Sequence, residues 1–173
     1  SAPASLIKSL KMGSSVAVDG VCLTVKSHPQ KNRFQIEVMP ETIKRSAFSD
    51  LLSGDLVNLE LAMAANARFE GHIVQGHTDG VAALSNIKPK GNSRILSFKV
   101  PDHLSKYIVQ KGSIAVNGIS LTVIDAKGDR FTVGIIPYTW DHTMLPRLKI
   151  GGKVNIEVDI LAKYLEKLVK NVK

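Results

Sequence analysis

Cysteine is nearly missing from this chain: of 173 residues, only Cys22 carries a thiol. An internal disulfide and a cysteine-built metal cluster are therefore excluded, and a reducing compartment fits. Long apolar runs are missing too, and no stretch reaches the length that spans a bilayer. The first residues show no basic segment, apolar core and cleavage site in series, so no secretion signal is expected. Aromatic residues are few, with one Trp and three Tyr. Acidic residues are the scarcer charge: 23 Lys and Arg against 15 Asp and Glu give a net charge of +8. A nucleic-acid partner would call for basic residues gathered on one face and interleaved with aromatics. Apart from Lys163, Lys167, Lys170 and Lys173 they are scattered. A solvated basic surface is the simpler reading, with neither nucleic acid nor membrane as partner.

What the chain does have is a long repeat. Ser15-Val16-Ala17-Val18-Asp19-Gly20-Val21-Cys22-Leu23-Thr24-Val25 returns as Ser113-Ile114-Ala115-Val116-Asn117-Gly118-Ile119-Ser120-Leu121-Thr122-Val123, 113 − 15 = 98 residues later. Pro40 and Thr42 recur as Pro137 and Thr139, and Gly54, Asn58 and Glu60 as Gly151, Asn155 and Glu157, now 151 − 54 = 97 residues later. A self-match of this length is a duplication. Each copy reads as two short strands joined at Asp19-Gly20 or Asn117-Gly118, dipeptides that tolerate positive φ and so favour a tight hairpin.

The repeat organises the rest. Alternation predicts strands over residues 34–39, 55–63 and 94–100, and a strand starting at Ile73-Val74. Met39-Pro40 breaks the first of these. The small-residue connector 64–70 marks a boundary, giving modules over residues 1–70 and 71–158 and a terminal helix over 159–173. Only 14 residues precede Ser15, whereas 113 − 72 = 41 positions separate His72 from Ser113. The first copy is thus expected to lack about 41 − 14 = 27 residues, roughly two strands' worth. In the terminal segment Leu161, Leu165, Leu168 and Val172 form one helical apolar stripe. Packing against its own module and an oligomer seam at heptad spacing both fit that stripe.

Outside the repeat, the distinctive segment is Gly71-His72-Ile73-Val74-Gln75-Gly76-His77-Thr78-Asp79-Gly80. Histidines five apart lie on opposite faces of a strand, so one can face a site while the other serves structure. A zinc site would need a third ligand, for which His103 and His142 lack any motif spacing. A phosphate loop is rejected, because no helix follows and the terminal Lys is absent. Polar residues sit at strand ends, Ser15, Cys22, Thr24, Glu41 and Thr42 in the first copy with Ser120, Thr122 and Thr139 in the second, the last three at positions matching Cys22, Thr24 and Thr42. Singly, each reads as a strand-end residue bonding local backbone. Their recurrence suggests two similar pockets, whose hydroxyls and carboxylate suit a neutral, many-hydroxyl ligand.

Taken together, these motifs resemble the alpha-type riboflavin synthases, and through them the wider lumazine-binding family. The resemblance covers nearly the whole chain from Pro3 to Val158. It implies an all-β protein of two tandem six-stranded Greek-key barrels plus a C-terminal α-helix, the first barrel incomplete at its N-terminus. It implies conversion of two molecules of 6,7-dimethyl-8-ribityllumazine into riboflavin and 5-amino-6-ribitylaminouracil, with no metal or organic cofactor. It also implies a homotrimer held by the C-terminal helices, a cytoplasmic setting (organellar if a transit peptide has been removed), and lumazine synthase as a partner to consider. By matched position, Ser15, Cys22 and His77 would be the catalytic residues. Cys22, Leu23 and Thr24 would line the first lumazine site, with Glu37, Val38, Met39, Pro40, Glu41 and Thr42 as its second edge. Gly76, His77, Thr78, Lys111, Ser120, Leu121 and Thr122 would line the second, with Gly134, Ile135, Ile136, Pro137, Tyr138 and Thr139. Two departures stand out: the family's leading Met-Phe-Thr-Gly is absent, and Tyr138 stands where the family often has His. The alternative of another class is a non-catalytic lumazine or flavin binder of the same fold. Retention of Ser15, Cys22 and His77 favours the enzyme.

Overall fold

The computed structural model describes residues 2–27 and 32–171. Both repeated hairpins form as expected. β1 (Ser15–Val18) pairs with β2 (Val21–Thr24), and β6 (Ser113–Val116) with the start of β7 (Ile119–Lys127). Asp19 and Gly20 have φ of 43° and 76°, and Asn117 and Gly118 have 46° and 80°. Two successive positive φ values make the turn whose twist matches that of the flanking strands.

The second copy closes into a six-stranded antiparallel barrel. Its order is β4 (Gly80–Lys90), β5 (Ser93–Lys99), β8 (Arg130–Ile135), β7, β6 and β9 (Lys153–Val158), which returns to β4. Register shifts between Leu84 and Asn86 and between Val123 and Asp125 bend β4 and β7, as closure of a small barrel requires. Alternate residues fill the interior: Leu84, Leu96, Phe98, Ile114, Phe131, Val133, Val154 and Ile156 are fully or almost fully buried. Phe98 and Phe131 are register partners and stack with centroids 5.3 Å apart. Truncating either to Ala would cost about 3–5 kcal/mol.

The first copy forms only a three-stranded sheet, β2-β1-β3, where β3 is Leu59–Leu61. Its apolar residues gather in two small clusters around Val16 and Val25, and around Val18, Val21 and Leu23. The strand expected over residues 34–39 is reduced to one bridge, Val25 to Ile36, and the one over 55–63 to β3. Alternation alone does not make a strand; a partner does. Among the described residues the first copy has no counterpart of β4 or β5, so the ladders that order β8 and β9 have no equivalent there. Residues 71–79 join no ladder and bend at Gly71, His72 and Gly76, and the strand begins at Gly80 rather than Ile73.

Short helices follow matching points of the two copies: α1 (Ala4–Ser9) and α3 (Asp102–Ser105), then α2 (Pro40–Arg45) and α4 (Pro137–Asp141). Pro40 and Pro137 occupy the first helical turn, where a missing N–H is harmless. The terminal helix α5 (Ile160–Lys170) starts at Asp159, whose side chain accepts from the Leu161 amide at 3.0 Å. Polar contacts dock it on the barrel: Lys163 to Asp79 at 2.5 Å, and Glu166 to Lys106 and Tyr107. Hydrogen bonds from Lys106, Lys170 and Tyr107 hold the Glu166 carboxyl down at about 2. Leu161, Leu165 and Leu168 stay about 60% exposed, so the stripe does not pack on its own barrel. Val172, its last expected member, lies outside the described residues.

The two copies meet at their hairpin tips, related by an approximate two-fold axis. A Cβ on Gly20 would lie 2.8 Å from the Gly118 Cα, and one on Gly118 would lie 2.9 Å from the Gly20 Cα. Asn58 and Asn155 flank the contact as a matched pair. The Asn58 amide donates to Asp19 Oδ1 at 2.8 Å, as that of Asn155 does to Asn117 Oδ1 at 2.7 Å. Each side chain then crosses the axis: Asn58 Nδ2 donates to the Asn117 carbonyl at 3.1 Å, and Asn155 Nδ2 to that of Asp19 at 2.9 Å. Their Oδ1 atoms accept from Met144 and Ala47, again on opposite copies.

Candidate active site

Hairpin pleating sorts the repeated residues onto two faces. Val16, Val18, Val21 and Leu23 point inward, leaving Ser15, Ala17, Cys22 and Thr24 on the outer face. Ser15 sits directly across from Thr24, and Ala17 across from Cys22. The barrel repeats this arrangement, with Ser113 across from Thr122 and Ala115 across from Ser120. Leu23, Leu121 and Ile135 have their side chains in the interior, so their share in any ligand contact is confined to backbone. The same sorting leaves Gly134, Ile136 and Tyr138 exposed, with Tyr138 stacked on His142 at 4.2 Å.

The segment between Gly71 and Gly80 runs from one face to the other. Near its start, the Cβ position of Gly71 lies against the Ser120 side chain. His72 Nδ1 is 2.8 Å from Ser120 Oγ, which also accepts weakly from the His72 amide at 3.3 Å. The other ring nitrogen of His72 is buried without a partner among the described residues, as is the Thr78 hydroxyl. Burial pushes the His72 imidazole below its ordinary value, against the opposing pull of Asp159 and Glu157. A neutral imidazole beside a serine hydroxyl is thereby favoured. The odd spacing of the two histidines indicated that they divide between site and structure, but nothing in the sequence tied His72 to Ser120.

Four residues on, the segment reaches the first copy. The Gly76 carbonyl accepts from the Cys22 amide at 2.8 Å, and a Cβ on Gly76 would lie 2.7 Å from that of Cys22. With φ of +78° and that overlap, only glycine fits. From the opposite side, buried Glu157 accepts three backbone amides in succession: Gln75 at 2.7 Å, Gly76 at 2.8 Å and His77 at 3.1 Å. A carboxylate that takes several N–H donors is fixed in place. It sets the backbone that carries His77 next to the Cys22 face. Ser15, Cys22, Thr24, Gly76 and His77 are thus gathered on neighbouring backbone.

The remaining expected residues lie around these faces. Glu37 pairs with Lys26 and Glu41 with Arg45. Val38 packs partly against the inner cluster, while Met39 is 71% exposed at the start of α2, just ahead of Pro40 and Thr42. Lys111 adopts φ of 64° with its amide bonded to Val123, and Thr139 accepts from the Thr143 hydroxyl. A small depression lined by Val100, Ser105, Ile108, Ala126, Gly128 and Arg130 shares no residue with this set. Among the described residues, no group of three metal-ligating side chains converges, and no helix is long and apolar enough to cross a membrane.

A profile of the lumazine binding domain matches the chain twice, over residues 1–62 and 75–159. Riboflavin synthase of Actinobacillus pleuropneumoniae is 47% identical over 164 residues, covering 95% of this chain and 76% of that protein. Those of Bacillus subtilis and Saccharomyces cerevisiae are 45% and 43% identical, with 92% and 95% of this chain and 74% and 71% of theirs covered. Among solved structures, LumP complexed with 6,7-dimethyl-8-(1'-D-ribityl) lumazine superposes with a TM-score of 0.79 at 26% identity, over 90% of this chain and 83% of that one. Duplicated hairpin, closed barrel, shared outer faces and these matches agree: the chain belongs to the lumazine-binding-domain family and, within it, to the riboflavin synthases.

Proposed function

We propose that each outer hairpin face holds one 6,7-dimethyl-8-ribityllumazine, and that the two molecules react with each other. The observation that carries this is the matched pair of faces, Ser15-Cys22-Thr24 and Ser113-Ser120-Thr122. Hydroxyls and open strand-edge amides bond a ribityl chain and a pteridine edge without demanding charge. One lumazine loses a proton from its acidic 7-methyl group, and the other accepts a nucleophile at carbon 7. A four-carbon unit then leaves one ring system and closes the new aromatic ring of riboflavin, freeing 5-amino-6-ribitylaminouracil. Two identical molecules enter, so atoms and electrons balance without an external oxidant. Most of the acceleration comes from holding two large rings face to face. His77 moves the methyl proton, as an imidazole does near neutral pH. Cys22, or a water that it polarises, adds at carbon 7, and Ser15 orients that nucleophile.

The exposed stripe Leu161, Leu165 and Leu168 supports a three-fold seam, through which the first copy of one subunit faces the barrel of its neighbour. Sedimentation of protein ending at Asp159 tests the seam, and a trimer that survives the deletion refutes it. For the chemistry, the chain is incubated with 6,7-dimethyl-8-ribityllumazine and riboflavin fluorescence is followed. Half a mole of riboflavin per mole of lumazine consumed is expected. His77→Ala should lower the rate by about 10²–10⁴-fold, the usual share of a proton-transfer group. A Cys22→Ser variant of unchanged rate would exclude an obligatory thiol. Lumazine uptake without riboflavin would favour a non-catalytic binder.

A further inference from the structure

The segment between Gly71 and Gly80 touches the two outer faces at matched positions, but not in the same way. It meets Cys22 through the main chain, the Cys22 amide donating to the Gly76 carbonyl at 2.8 Å. It meets Ser120 through the side chain, where two nitrogens of one residue converge. The His72 amide donates to Ser120 Oγ at 3.3 Å, and His72 Nδ1 lies 2.8 Å from the same oxygen. The approach depends on Gly71, because a Cβ there would lie 2.5 Å from Ser120 Oγ. Ser120 itself stays exposed on the outer face, across from Ala115.

A serine hydroxyl has one proton to give and two lone pairs to fill. Which partner gives the proton in the ring contact is decided at the far side of His72. There Nε2 is buried without a partner among the described residues. Were the ring to act as a base toward Ser120, Nδ1 would be bare and Nε2 would carry the only ring N–H into a place with no acceptor. Orphaned buried N–H groups are rarer than unfilled acceptors. A serine made nucleophilic by histidine also needs a third group to hold the remote N–H, and Nε2 has none among the described residues. With the proton on Nδ1, the ring and the His72 amide both donate to Ser120 Oγ. Both lone pairs are then filled, and the hydroxyl proton is left to point over the open face.

We infer that His72 is a positioning residue for the reaction, locking the Ser120 hydroxyl as a hydrogen-bond donor aimed at a carbonyl oxygen or an unprotonated ring nitrogen of the lumazine. This inference rests on the reading that the Ser120 face takes one of the two lumazines. A ring that has lost its methyl proton, or has taken up a nucleophile at carbon 7, spreads negative charge onto those acceptor atoms. A donor fixed in advance stabilises that state more than the neutral ring. Burial lowers the imidazole's proton affinity against the pull of Asp159 and Glu157, so the ring stays neutral while it holds the hydroxyl. On the Cys22 face the segment grips main chain instead, so the two faces meet the same ligand with different hydrogen-bonding partners.

The first test uses the 173-residue chain without ligand. In a nitrogen NMR spectrum of the labelled imidazoles, the His72 proton should sit on Nδ1 with Nε2 bare; a ring protonated on Nε2 overturns the inference. Lumazine uptake and riboflavin formation are then compared across variants. His72→Ala and Ser120→Ala should each lower kcat/KM by about tenfold, the worth of one well-placed hydrogen bond, with most of the loss in kcat. The double variant should lose no more than Ser120→Ala alone, which a merely structural role for His72 would not give. His72→Asn, whose amide nitrogen takes the place of Nδ1, should restore most of the rate. Losses that multiply in the double variant, or an Asn variant no better than the Ala one, would overturn the inference. A parent chain with the His72 proton on Nδ1 that takes up no lumazine would instead sink the paired-site reading, and the donor role with it, so the two failures are told apart.

Discussion

Asp19 is a carboxylate buried where the two hairpin tips meet, and it makes the stability of this protein depend on pH in an unusual direction. It is 7% exposed at the tip of the first hairpin. Burial raises its carboxyl from 3.8 to about 6, with the Asn58 amide pulling the other way. In the unfolded chain the group ionises near 3.8; in the folded chain it holds its proton until about pH 6. Below pH 3.8 both states are protonated and no penalty exists. As pH rises toward 6, the unfolded state gains charge that the folded state refuses, and stability falls. At about 1.4 kcal/mol per pH unit, the difference between 3.8 and about 6 is worth about 3 kcal/mol at its plateau, less to the extent that the tip admits water. The second copy avoids the penalty: Asn117 occupies the same turn, with φ of 46° against 43°, and its Oδ1 accepts the Asn155 amide at 2.7 Å as Asp19 accepts that of Asn58. Asp19→Asn should therefore keep the turn and its hydrogen bond while removing the titration. Urea unfolding of both proteins from pH 4.5 to 8 is the assay. The variant should lead by about 1 kcal/mol at pH 4.5, pull further ahead through pH 6, and hold a constant advantage of about 2–3 kcal/mol above it. Parallel stability profiles, or an advantage that shrinks as pH rises, would refute the reasoning.

Gly20→Ala should destabilise by more than about 3 kcal/mol, because a positive φ penalty of about 1–2 kcal/mol adds to overlap with unyielding backbone of the other hairpin; thermal melting within 3 °C of the parent would contradict this. Glu157→Gln should lose about 2–4 kcal/mol by weakening three charge-assisted bonds at once, with faster hydrogen exchange at Gln75, Gly76 and His77 as the specific readout. In an NMR titration the His72 imidazole should protonate below the ordinary value for histidine, following its burial, and a midpoint at or above about 6.5 would show that the ring is solvated.

The duplication was legible because Asp19-Gly20 and Asn117-Gly118 are local turn signals embedded in matching alternation, and local signals survive reading one residue at a time. The outer faces were legible for the same reason: a period of two fixes Cys22 and Thr24 on one side and Leu23 on the other. What escaped is tertiary. Residues 34–39 alternate like a strand, but alternation reports which face would be buried and not whether a neighbouring strand exists to bond. Ile73-Val74 carries strand-forming residues, yet Glu157, 80 or more positions away in the chain, takes the amides that follow it. The pairing of His72 with Ser120 spans 48 positions and has no spacing rule to announce it. The terminal stripe was visible as a pattern, whereas its exposure depended on Asp79, Lys106 and Tyr107 docking α5 by its polar side.

Where Gly20 meets Gly118, neither hairpin offers a side chain, and each forbids one to the other. Drift at one tip is thus policed by its twin, which pins the centre of the molecule to its ancestral symmetry. The outward positions two residues on meet different partners, Gly76 against Cys22 and Gly71 against Ser120, so they do not restrain each other, and there one copy keeps a thiol and the other a hydroxyl. A frozen pivot with unfrozen flanks lets two inherited halves go on matching in shape while they part company in reactivity, as one donor and one acceptor of the same molecule would need.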